Sequence, residues 1–149
     1  MSRPQFSSSD FARVPAALVA DVPESLVHYR VLNSDDAHST SFSDERRHLV
    51  RTVNVPSRVI SMTIGGLRPG ESTRKHRHNY ETIIYVLEGS GESFIEGRTV
   101  KWSAGDAFYI PTWSWHSHAN LSDSRSATYI ACENAPMLQN LGIAIREEE

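Results

Sequence analysis

Two histidines separated by a single residue, His76 and His78, offer chemistry in the run Gly70-Glu-Ser-Thr-Arg-Lys-His76-Arg-His78. On an extended strand, residues i and i+2 project from the same face, because side chains alternate with a period of two. The pair therefore presents two imidazoles side by side, an arrangement suited to a divalent metal. A second run, Gly105-Asp-Ala-Phe-Tyr-Ile-Pro111-Thr-Trp-Ser-Trp-His116-Ser-His118-Ala-Asn120, supplies a third imidazole. His116 there follows the Pro111-Thr112 turn and opens another strand. Three imidazoles from two neighbouring strands fill one face of a metal and leave the rest open. Open positions mark a catalytic rather than a structural site.

Holding these histidines requires short strands and tight turns, and the second part of the chain reads that way. Apolar, β-branched or aromatic runs recur at 59–64, 82–87, 92–95, 99–102, 107–110, 115–118 and 128–132. Gly65-Gly66, Pro69-Gly70, Gly89-Ser-Gly91, Glu96-Gly97, Ala104-Gly-Asp106 and Leu121-Ser-Asp-Ser124 separate them as turns. Strands at this spacing predict an all-β antiparallel sandwich or barrel over residues 58–149. Pro136 can start a short C-terminal helix at Met137 and Gly142 can stop it. Residues 1–57 read as an N-terminal extension that packs on the barrel or on a partner subunit. In it, Ser7-Ser-Ser-Asp10 is a helix-cap signal ahead of Phe11, and Asn33 to Asp44 is rich in turn formers and reads as a loop.

Composition narrows the class. The chain has 149 residues, enough for one domain with its own core. Its net charge of −3 and mixed charges give no basic stripe, so no nucleic-acid partner is expected. Arg146-Glu-Glu-Glu149 reads as a solvated end. Cys132 is the only cysteine and lies in an apolar run, so a core role is expected and no internal disulfide can form. No apolar run approaches a membrane span, and no early apolar stretch is long enough for a secretory signal. A cytoplasmic location without membrane contact is the expectation.

The spacings resemble the cupin superfamily. Gly70, His76, His78 and Gly89 fall in register with its first motif, and Gly105, Pro111, His116 and Asn120 with its second. The resemblance spans about residues 58–135. It implies a double-stranded β-helix, or jelly-roll barrel, with His76, His78 and His116 as metal ligands. The family's usual glutamate position is held by Thr82, with Glu81 one place early. Strict alternation keeps Tyr80 and Thr82 inward and turns Glu81 outward; a kink at Asn79-Tyr80 would bring Glu81 in as a fourth ligand. Trp113 stands where the general motif has glycine, so a left-handed turn is not expected there.

The stretch Pro-x-Trp-x-Trp-His-x-His-x-Asn looks like the gentisate 1,2-dioxygenase branch of the cupins, as do His-Arg-His with Leu87-Glu-Gly89 and the C-terminal Leu-Gln-Asn-Leu-Gly. Members of that branch are typically two-cupin chains and use a three-histidine Fe(II) centre without the glutamate. The resemblance thus implies a non-haem Fe(II) dioxygenase taking O2 and a small oxygenated aromatic or diketone-like substrate. The alternatives are a cupin isomerase, lyase or decarboxylase using Mn, Zn or Ni, and a non-enzymatic small-molecule-binding cupin. His118 shares the inward face with His116 and reads either as an acid/base or substrate contact, or as a core histidine. Tyr80, Thr82, Trp113, Trp115 and Asn120 are the candidate pocket residues; Trp102 reads as core. Sheet edges and the extension point to a homodimer.

Overall fold

In the computed structural model, which describes residues 20–33 and 37–149, ten strands form two antiparallel five-stranded sheets. The first runs β1 (Leu49–Thr52), β2 (Ser61–Leu67), β9 (Ala127–Glu133), β4 (Thr82–Glu88), β7 (Ala107–Ile110) in spatial order. The second runs β10 (Arg146–Glu148), β3 (His76–His78), β8 (His116–Ala119), β5 (Ser90–Ile95), β6 (Arg98–Ser103). Two α-helices accompany them, α1 (Ala37–Arg46) and α2 (Ala135–Asn140). The jelly-roll expectation holds.

Alternation builds the core. Along β4, Thr82, Ile84 and Val86 are buried, while Ile83, Tyr85 and Leu87 are exposed. Leu67, Ile84, Val86, Ile110, Tyr129 and Ala131 from the first sheet meet Ile95 and Trp102 from the second. Burying each large apolar side chain contributes about 1.5–3 kcal/mol, and this layer fixes the two sheets face to face. Trp102 lies in that layer. Cys132, expected in the core, is instead half-buried on the outer face, opposite Ile83 in the strand register.

Several elements differ from the sequence expectation. Gly65 and Gly66 do not turn the chain; they lie inside β2. A Cβ at Gly65 would overlap the Tyr129 ring, and one at Gly66 would meet Leu49, so glycine there serves close packing. The segment read as a loop, Asn33 to Asp44, holds most of α1, which runs on to Arg46 and is held to β1 by Ser43, whose Oγ accepts from Val50 N and donates to Val50 O, both at 2.8 Å. Tertiary anchoring here overrides weak helix propensity. β1 precedes residue 58 and pairs along β2 from Leu49↔Gly66 to Thr52↔Thr63. The helix-cap signal at Ser7–Asp10 lies outside the described residues. α2 starts with Pro136 in its first turn, and Gly142 follows it at φ 72°. The chain does not end in a solvated tail: β10 pairs antiparallel with β3, Arg146 opposite His78 and Glu148 opposite His76.

Candidate metal centre

The site lies on the inner face of the second sheet. β3 carries His76 and His78, and β8 pairs with it through His76↔His116. Ring centroids are 4.2 Å apart for His76–His116 and 4.8 Å for His78–His116. One ligand atom from each of the three histidines lies within 4.8 Å of the others.

Each imidazole is oriented by the same device. Nδ1 meets a backbone carbonyl: Arg74 O at 2.8 Å for His76, Tyr80 O at 2.9 Å for His78, Ser114 O at 2.9 Å for His116. A carbonyl only accepts, so Nδ1 carries the proton and Nε2 keeps its lone pair for a ligand. Tyr80 also stacks on His78, with centroids 3.8 Å apart and rings 3° from parallel. Burial lowers the His76 pKa to about 2 and that of His78 to about 4, the neighbouring His116 adding to both shifts. Burial also lowers His116. Neutral, tautomerically fixed imidazoles are the form a metal requires, so the residues present fit a metal.

The cavity in front of these rings is lined further by Tyr80, Thr82, Glu133, Arg46 and Arg146, with Phe42 and Tyr129 among its apolar walls. Thr82 Oγ1 donates to Glu133 Oε1 at 3.1 Å across the β4–β9 register. Desolvation raises the Glu133 pKa and, with Glu133 beside it, raises that of Tyr80 to about 12. The sequence reading missed Glu133, Arg46 and Arg146. None carries a local motif; each reaches the cavity through register or helix docking.

Other expected site residues fall elsewhere. Glu81 is not in the cluster: it sits where the chain crosses from β3 in one sheet to β4 in the other, and its carboxylate accepts from Tyr109 Oη at 2.6 Å on the exposed side. Trp113 and Trp115 do not line the cavity; Arg77 sits over both rings, at 4.4 and 4.5 Å from their centroids. Trp113 does adopt the left-handed conformation, φ 63°, against expectation. Its N–H donates to His78 O at 2.7 Å and Arg77 stacks on its ring, contacts that offset the strain. Asn120 is buried and braces a loop, its Nδ2 donating to Leu67 O at 3.1 Å and Arg125 O at 2.7 Å.

His118 lines the cavity floor, and its Nδ1 lies 2.6 Å from Ser93 Oγ, which also accepts from Trp102 Nε1 at 2.8 Å. Burial lowers its pKa to about 3. Its partner is thus a serine hydroxyl rather than the backbone carbonyl expected of a core histidine. Ser93→Ala should cost roughly 2–6 kcal/mol in urea-unfolding stability, since it strands two buried groups at about 1–3 kcal/mol each. An unchanged unfolding midpoint would show that this chain of bonds carries no stability.

Residues 64–132 match the family model for the cupin domain. The chain contains a cupin domain. It is 39% identical over 77 residues to a 5-aminosalicylate 1,2-dioxygenase from Comamonas, covering 52% of this chain and 20% of that protein. It is 34% identical over 71 residues to a gentisate 1,2-dioxygenase from Aquipseudomonas alcaligenes, covering 45% and 20%. Among solved structures, the salicylate 1,2-dioxygenase from Pseudoaminobacter salicylatoxidans with gentisate superposes with a TM-score of 0.65 at 21% identity, covering 75% of this cupin and 33% of that chain. The match thus spans about a fifth of the length of these two curated relatives.

Proposed function

We propose that this cupin is a metal-dependent ring-cleaving dioxygenase, with Fe(II) held by His76, His78 and His116 and a small oxygenated aromatic acid as substrate. The observation that carries the reading is the ligand set: three neutral imidazoles with no carboxylate among them. Such a set leaves the full charge of a divalent ion and its remaining positions to substrate and O2. The likeness to dioxygenases of 5-aminosalicylate and gentisate supports the choice of aromatic acids over diketones. Bound there, Fe(II) would supply Lewis acidity and redox chemistry.

The chain's own residues do the rest. The carbonyls of Arg74, Tyr80 and Ser114 hold the imidazoles in one tautomer, and Tyr80 fixes the plane of His78 by stacking. Phe42, Val50, Ile84 and Ile110 give the cavity apolar walls that keep water off a bound ring. Glu133, braced by Thr82, presents a carboxyl group to the same space, able to hold a proton or accept one from a ring substituent.

Oxygen uptake by Fe(II)-loaded protein, measured against gentisate, salicylates, catechols and β-diketones, tests the reading. Uptake with the aromatic acids is the expected result. Iron bound without uptake across the panel would favour a different reaction at the same site, with Mn, Zn or Ni. No helix among the described residues is long and apolar enough to cross a membrane. The exposed Ile83, Tyr85, Leu87 and Tyr109 on one sheet face suit the homodimer we also propose, testable by light scattering.

A further inference from the structure

The last strand, β10, brings charge to the cavity. Asn79, one residue past β3, anchors the segment before it: its Nδ2 donates to Ile143 O at 2.7 Å, and its Oδ1 accepts from Ile145 N at 2.9 Å. Beyond that anchor the strand alternates. Glu147 turns to the outer side, where Arg77 Nε donates to it at 2.7 Å. Arg146 turns inward and lines the cavity, opposite His78 in the register. Glu148 shares the inward parity and is the hub of an ion cluster. Its Oε1 takes Arg146 Nη1 and, at 3.8 Å, Arg46 Nη1; its Oε2 takes Arg74 Nη2.

One carboxylate therefore holds three guanidinium groups, of which Arg46 and Arg146 also border the cavity. The cluster keeps a positive surplus. Among the described residues, the other carboxyl lining this space is Glu133, which desolvation pushes toward its neutral form. A guanidinium has five N–H donors in a planar fork that matches a carboxylate. Glu148 pairs with one nitrogen of Arg46 and of Arg146, and Arg146 also hydrogen-bonds Tyr80; each five-donor fork still has N–H groups left for a ligand.

We infer that Arg146, held in place by Glu148, is a specificity-determining residue that binds the carboxylate of an aromatic acid in this cavity, with Arg46 as its second arm. The inference rests on the reading of the cavity as an aromatic-acid site and names the group that recognises the acid. On it, the C-terminal strand is a working part of the site, because Glu148 sets where the Arg146 fork points.

Calorimetric titration of the full-length, Fe(II)-loaded protein without oxygen tests it, using salicylate and its uncharged analogue salicylamide. The metal itself favours a carboxylate, so the change between wild type and variant is the quantity read. Arg146→Gln should weaken salicylate about 10- to 100-fold, the range of a charge-assisted bond pair, and leave salicylamide within about twofold. Glu148→Gln should weaken salicylate by several-fold in the same direction, with iron content unchanged. Arg146→Lys, which keeps the charge and loses the fork, should fall between wild type and Arg146→Gln, and it carries the test if the glutamine variant does not fold. Variants that retain the wild-type preference, or that lose both ligands equally, overturn the inference and leave the aromatic-acid reading standing. A wild-type protein that binds neither compound overturns that reading, and this inference with it.

Discussion

Replacing His116 with alanine is expected to strip the protein of its metal. His116 is almost fully buried and stands between the other two rings, 4.2 Å from His76 and 4.8 Å from His78 by centroid. Losing groups that merely orient a ligand typically costs 10- to 100-fold in metal affinity. Losing one of three ligands should therefore cost at least about 100-fold and leave the ion exchangeable on dialysis. Elemental analysis of protein purified without chelator reads this directly. Glu81→Gln is the matched control. Its carboxylate is engaged with Tyr109 Oη at 2.6 Å, outside the cluster, so metal content should not change. Full metal content in His116→Ala, or loss in Glu81→Gln, would mean that the ligand set is wrong.

The second large effect is on acid stability. With metal removed, the protein should lose stability steeply as pH falls from about 6.5 toward 4, the window between ordinary and folded histidine pKa values. Burial holds His76 at about 2, His78 at about 4 and His118 at about 3, and lowers His116 as well. The unfolded chain takes up these protons near pH 6.5 and the folded chain does not. The unfolded state thus binds more protons through this window, and stability must rise with pH across it. The stabilisation is complete above about pH 6.5 and lost as pH falls through the folded values. Each histidine contributes a slope of up to about 1.4 kcal/mol per pH unit. Burial lowers His48 too, so Glu133, whose folded pKa is raised, works in the opposite direction as one group against five.

Urea midpoints of chelator-treated protein at pH 7.5, 6 and 5 measure the slope. A flat profile would contradict the burial argument. Bound metal should move the loss to lower pH, since it occupies the three ligand imidazoles and leaves His48 and His118.

Much of the fold was legible in the sequence because strand alternation and turn chemistry are local. The run at 82–87 became β4 and that at 107–110 became β7 almost residue for residue. Alternation placed His76 and His78 on one face of β3 and set the buried face of β4 from Thr82 onward, while Glu81 falls in the crossing between the two sheets. Local rules failed where a distant residue sets the requirement. Gly65 reads as a turn until the Tyr129 ring is found occupying the place of its Cβ. Trp113 reads as unfit for positive φ until His78 O and Arg77 are found to hold it there.

By itself, then, the sequence determined the strand pattern, the two motif-bearing runs and the three histidines as ligand candidates, because period-two geometry and short spacings express them locally. Tertiary structure alone decided what stands in front of those histidines. Glu133 comes from β9, opposite Thr82; Arg46 comes from a helix whose residues look like a loop; Arg146 comes from a terminal run that reads as solvated. Glu133 and Arg146 acquire their places through strand pairing with residues distant in the chain, and Arg46 through a helix docked on β1. The polar wall of the cavity is a property of the register between strands, and no window of sequence contains it.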